Sequence, residues 1–194
     1  MHRALTRTDI LPLDSYAELR LEKRQKLVAL KKHRQLFVGP HVTVTFECWE
    51  SMWYQVQEML FIEKGGDAQL EEELAAYAPM VPNGHELVAT LMFEIEDEAR
   101  RTRLLSALGG VEDSVSLLFA DQRIAAQPES DVGRSTAEGK TSAVHFLHFP
   151  LSSAQSALFK QEGMAVVFAI RHPDYQHMAV LPESVRATIA LDLD

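Results

Sequence analysis

At 194 residues, with 46% of them hydrophobic, the chain has the length and apolar content of one ordinary domain. Its longest apolar runs, such as Met164 to Ile170, fall far short of the roughly 20 residues a membrane helix needs, the N-terminus lacks an apolar signal region, and the single cysteine, Cys48, excludes an internal disulfide or a CxxC zinc or iron-sulfur site, so the cytoplasm is the expected compartment. The net charge of -9 is uneven: residues 1–40 hold nine Lys/Arg against four Asp/Glu, leaving ten against twenty-four elsewhere, and this acidic remainder opposes nucleic acid as a partner for the basic arm.

Asp14 or Ser15 can cap a helix running to about Arg34, with Tyr16, Leu19, Leu27 and Leu30 as a partial apolar stripe and Gly39-Pro40 closing the segment. Arg20, Lys23, Arg24, Lys31 and Arg34 are assigned to its solvated surface. From His41 to Glu47 the alternation of Val42, Val44 and Phe46 with Thr43, Thr45 and Glu47 predicts a half-buried strand, with Glu47 on the threonine side. Near Trp49 to Glu63 the spacing of Trp49, Trp53 or Met52, Val56 and Leu60 predicts a core-facing helix. Gly65-Gly66 stops it, and a second helix follows from Asp67 until Pro79 and Pro82.

Leu87 to Glu94 alternates as a buried strand, and a helix from about Asp97 to Leu108 stops at Gly109-Gly110. Val115 to Ala126 and Ser142 to Pro150 read as strands flanking a polar loop at 127–140, expected to be flexible. A short helix from Ser153, a strand Ala165 to Arg171, a turn at His172-Pro173-Asp174, a strand near Met178 to Leu181 and a helix from about Pro182 complete the chain. No repeat or linker divides it. The expected fold is one α+β domain over 1–194, with the basic helical arm at 1–40 and a mostly antiparallel sheet from the strands near 42, 88, 115, 142, 165 and 178, the helices packed on it.

Glu47, Gln55, Gln57 and Glu58 are polar groups in a segment that otherwise reads as core, so they are either satisfied structural groups or parts of a site. Gln55 and Glu58, three residues apart, can share a patch that grips a ligand or the Gly39-Pro40 backbone; the backbone is the favoured partner. His145 and His148 leave one strand on opposite faces and cannot chelate one metal together; either could join groups from other elements, with His145 kept as the candidate. A lone histidine on an apolar strand is most often hydrogen-bonded within the core, and that is the favoured reading. His172 and His177 lack a third ligand nearby, and no Glu-x-x-His pair exists for a carboxylate-bridged iron site, so no metal site is assigned. Gly139-Lys140-Thr141 ends like a phosphate loop, but Gly133 is one residue too far upstream and a strand follows where a helix should hold the phosphate. Cys48 opens a helix, yet Glu47 and Glu50 oppose an activated thiolate, and a packed thiol is expected.

Four stretches carry a family resemblance: KKHRQLFVGPHVTVTFE at 31–47, MWYQVQEMLFIE at 52–63, ELAAYAPMVPNGHELVATLMFE at 73–94 and KTSAVHFLHF at 140–149. Over nearly its full length the chain resembles the bacterial family catalogued as domain of unknown function 3501. The resemblance implies a stand-alone bacterial protein encoded beside rubrerythrin-like and iron-sulfur oxidoreductase proteins, and transfers no catalytic residue. The function expected on that basis is a non-catalytic accessory or binding protein with a redox protein partner. The alternative is an enzyme, or a cofactor or metal binder, whose pocket is lined by Glu47, Gln55, Glu58 and His145; a third reading is anion or nucleic-acid binding by the N-terminal helix, with affinity that falls steeply with salt. A binding module should satisfy these polar groups internally and expose an apolar or charged patch, whereas an enzyme should bring them together in a pocket.

Overall fold

The computed structural model describes residues 2–129 and 141–194. Two antiparallel sheets stack face to face, with three helices against the outer face of the first. Helix α1 (Leu13–Lys31) leads into a hairpin of β1 (Gln35–Val38) and β2 (Val42–Phe46). Helices α2 (Trp49–Glu63) and α3 (Gly66–Tyr77) follow as a pair. Next come β3 (Glu86–Phe93), α4 (Glu98–Ala107), β4 (Val115–Phe119), β5 (Gln122–Ala125) and β6 (Gln127–Pro128). The chain closes with β7 (Val144–Pro150), α5 (Ser153–Phe159), β8 (Val166–His172), β9 (Tyr175–Val180) and α6 (Glu183–Ile189).

The α+β class is as expected, but the strands form two sheets, ordered β1-β2-β3-β7-β6 and β5-β4-β8-β9. Their facing sides form the larger core. Val42, Val44 and Phe46 of β2 and Leu87, Ala89 and Leu91 of β3 meet Val115, Leu117, Phe168 and Ile170 of the second sheet. The apolar halves of the alternating patterns thus lie between the sheets, and the threonine halves face the helices, where Tyr16, Trp53, Val56, Leu60 and Val88 form a second core. Because both faces of the first sheet are covered, every residue of β2 is buried, more than the half-buried strand expected.

Several boundaries differ from expectation for local reasons. Residues 115–126 are a hairpin rather than one strand, turning through Ala120 at φ 46°. Strand β1 lies where a continuing helix and turn were expected; α1 stops at Lys31, and Arg34 N–H bonds to the Lys31 carbonyl in the tight last turn. The β1–β2 turn is clamped by Tyr175, whose hydroxyl donates to the Val38 carbonyl at 2.8 Å and accepts from the His41 N–H at 3.2 Å. Gly39 sits there at φ +68°, and an added Cβ would lie 2.5 Å from the His177 ring, so both conformation and space demand glycine. The expected loop at 127–140 begins as β6, paired with β7; its remainder from residue 130 lies outside the described residues, as does most of the Gly133–Ser142 stretch.

The basic N-terminal segment is not a detached arm. Indole N–H groups of Trp49 and Trp53 donate to the carbonyls of Ala4 and Asp9, and Leu5 and Tyr16 are buried.

Candidate functional site

A pocket of about 280 Å³ opens between the C-terminal part of α1, α2, the end of α3 and the helix-facing side of the first sheet. Glu47, directly after β2, lies at this face, only 5% exposed. It extends the sheet ladder, its N–H bonding the Val88 carbonyl at 2.8 Å. Its carboxylate oxygens each accept a hydroxyl hydrogen bond of 2.6 Å, one from Ser51 on α2 and one from Thr90 on β3. Gln55 lines the same pocket and reaches the Tyr77 hydroxyl at 3.5 Å. Lys31 is the pocket's cation, and Met52, Met92 and Phe146 contribute apolar wall.

The other sequence candidates lie elsewhere. Gln57, fully buried, holds the N-terminal segment: its side-chain oxygen accepts from the Leu11 N–H at 2.6 Å. Glu58 pairs bidentately with Arg20, both bonds 2.8 Å, and accepts from the Tyr16 hydroxyl at 2.6 Å. These contacts hold its carboxyl below the usual range, chiefly through the Arg20 hydrogen bond, and the buried Tyr16 phenol is pushed up. Gln55 and Glu58 therefore do not grip Gly39-Pro40. That turn is held by Tyr175, because the polar side of α2 packs on α1 and α3 rather than on the hairpin. His145 is fully buried between the sheets, near Thr141, the Ser142 carbonyl and Glu112, on the side of the sheet opposite Glu47. A pocket shared by all four residues does not form; Glu47 and Gln55 converge, Glu58 and His145 do not.

Ser51 and Lys31 carried no distinguishing signal in the sequence. Thr90 could have been flagged, since it occupies the face of β3 that meets Glu47. Arg34 is the clearest departure: assigned to a solvated surface, it is 4% exposed and pairs with the equally buried Asp192. Burial pushes the Cys48 thiol up to about 11, so it is a packed thiol and not an activated nucleophile. Among the described residues no group of three His, Cys, Asp or Glu side chains is placed to hold a metal ion, and no helix is long and apolar enough to cross a membrane.

His148, on the helix-facing side of β7, bonds Glu86 at 3.0 Å with Glu129 at 3.8 Å. The Glu86 hydrogen bond raises its pKa against the opposing effect of burial. A pKa raised on folding contributes stability that is full below the unfolded histidine value, near 6.5, and is lost as pH rises through the folded value. Urea midpoints measured from about pH 6 to 8 are therefore expected to fall as pH rises, and His148→Gln to flatten that dependence; an unchanged slope in the variant would assign it to other groups.

A second concavity, of about 320 Å³, lies between α1 and α2 and is lined by Leu27, Leu30, Trp49 and Trp53 together with Lys23 and Lys26. Lys23 Nζ sits 4.9 Å from the Trp53 ring centre. Beside it, α1 buries only Tyr16 of its 19 residues. Leu13, Ala17, Leu21 and Val28, spaced four, four and seven apart, form one exposed apolar line along the helix, with Leu21 69% and Val28 55% exposed.

Residues 4–193 match the family described as "Protein of unknown function (DUF3501)". The chain belongs to that family. It is also similar to a crystal structure of a novel protein of unknown function from Burkholderia pseudomallei, with 39% identity, a TM-score of 0.91, and coverage of 98% of this chain and 100% of the other. The search of curated proteins gave no match.

Proposed function

We propose that this family member is a non-catalytic binding protein that docks a partner through the exposed face of α1. The observation that carries this reading is the uncovered line of Leu13, Ala17, Leu21 and Val28 on a helix otherwise rich in Lys and Arg, next to the Trp-lined groove. All five sequence candidates have internal partners, and Gln57, Glu58 and His145 do not join Glu47 and Gln55 in one pocket, an arrangement that supports a binding module over an assembled catalytic centre. The basic excess of residues 1–40 favours an acidic partner surface and orients its approach. The partner assigned is a redox protein of the rubrerythrin or iron-sulfur oxidoreductase kind; its class rests on the family resemblance, and its acidic docking surface on charge complementarity.

The test is surface plasmon resonance of the purified chain against the rubrerythrin-like protein of the same organism, at several salt concentrations. The expected result is binding that weakens with salt and falls at least tenfold for the Leu21→Asp/Val28→Asp variant, whose substituted positions are already exposed. Binding untouched by that variant, or absent altogether, would sink the reading. Binding of duplex DNA with a steep salt dependence would favour the anion-binding alternative.

A further inference from the structure

We infer that the pocket at Glu47 binds a small zwitterionic amine, of the class of free amino acids with apolar side chains, its ammonium pairing with Glu47 and its anionic group with Lys31. This site is separate from the α1 docking face and does not depend on that proposal.

The charge pattern carries the argument. Asp192, the other buried carboxylate among the described residues, has Arg34 as its cation, and the partly buried Glu58 has Arg20. Glu47 is 5% exposed and accepts only neutral hydroxyls, from Ser51 and Thr90; among the described residues no Lys, Arg or His forms an ion pair with it. Burying a carboxylate without a countercharge is costly, and each oxygen, having accepted one hydrogen bond, keeps further lone-pair capacity. A ligand ammonium would supply both the missing charge and the missing donors.

The remaining lining fits the rest of such a molecule. Lys31 lies in the same pocket and has no ion-pair partner among the described residues, so it is available to a carboxylate or similar anion. Met52, Met92 and Phe146 offer apolar contact, and Gln55 with the Tyr77 hydroxyl adds hydrogen-bonding groups. Tyr54 and Tyr77 place aromatic rings in the lining, an environment that tolerates an ammonium better than aliphatic wall does. At about 280 Å³ the pocket lies just below the usual range of roughly 300–1,000 Å³ for small-molecule sites, which suits a single amino acid and not a nucleotide.

Isothermal titration calorimetry on the full chain tests this with probes that share one body and differ in charge: leucine or phenylalanine, the amine alone (isoamylamine or phenethylamine) and the acid alone (4-methylpentanoate or 3-phenylpropionate). The expected order is zwitterion tightest, amine at least tenfold weaker, acid undetectable. Glu47→Gln should weaken both amine-bearing probes at least tenfold, while Lys31→Met should reduce the zwitterion to the affinity of the amine. Met92→Trp, which fills the pocket from a partly exposed position and leaves both charges in place, should abolish binding even if Glu47→Gln proves poorly folded. No heat from either zwitterion at millimolar concentration, acid binding as tight as the zwitterion, or binding insensitive to Met92→Trp would overturn the inference. None of these outcomes bears on the α1 variant, so the two proposals fail separately.

Discussion

Asp192→Ala is expected to lower the free energy of unfolding by about 3–5 kcal/mol, the usual cost of removing one partner of a buried ion pair. Arg34 and Asp192 are 4% and 1% exposed and pair through two bonds of 2.7 and 3.0 Å. The substitution would strand the guanidinium where water cannot reach it. The pair joins the entry to β1 to the short 3-10 turn at Ala190–Asp192, near the C-terminus, a separation of 158 residues. Arg34 also reaches the Glu47 carbonyl at 3.4 Å, so the damage extends towards the pocket. Replacing both partners, as Arg34→Met/Asp192→Leu, is expected to recover most of the loss, because two apolar side chains need no compensation in the core. Urea denaturation of the single and double variants measures both terms. A loss under about 1 kcal/mol for Asp192→Ala would mean the guanidinium finds water or another acceptor.

The Arg34 pair also shows where sequence reasoning stops. Arg34 reads as one of the basic residues on the surface of a helix running to about 34, but α1 stops at Lys31 and a partner 158 residues away draws Arg34 into the interior. Local patterns, by contrast, were legible: the period-two run at 42–47, the three-to-four spacing of 49–60 and the Gly65-Gly66 stop each correspond to an observed element or boundary. Short turns were less so. The 115–126 run carries a polar break at Asp121, Gln122 and Arg123 that the single-strand reading passed over, and its reversal rests on Ala120 adopting a positive φ, which alanine does not advertise. Division of the strands into two sheets was equally hidden, since alternation places a residue on a face without saying which strands share that face.

The pocket was half legible. Alternation placed Glu47 opposite the apolar face of β2, and Gln55 stood out as an amide in a core-facing helix. Neither observation reveals that Lys31 and Thr90 converge on them, because those contacts depend on how α1 crosses α2 and how β3 pairs with β2. Glu58 and His145 do not join that pocket for one reason: a polar group drawn out of water announces only that it needs a partner, and both found partners within the fold, Glu58 in Arg20 rather than the Gly39-Pro40 turn.

Phe168→Ala is expected to cost about 3–5 kcal/mol, the range for emptying a large aromatic site in a packed core. Phe168 is fully buried on β8 and meets Phe46 of β2 and Phe149 of β7 edge to face, at 6.4 and 5.8 Å between ring centres. One side chain therefore bridges the two sheets. Both neighbouring rings are held by strands whose other face carries the helices, so the cavity cannot close without moving the first sheet off α2. A scanning calorimeter should record a melting temperature lower by on the order of 10 °C. The same variant separates stability from binding: the Glu47 pocket lies on the opposite face of the first sheet, so amine affinity measured well below the melting transition should stay within about twofold of the parent. A large affinity loss would mean that the sandwich core sets the pocket's shape through the first sheet, and that the two faces do not act independently.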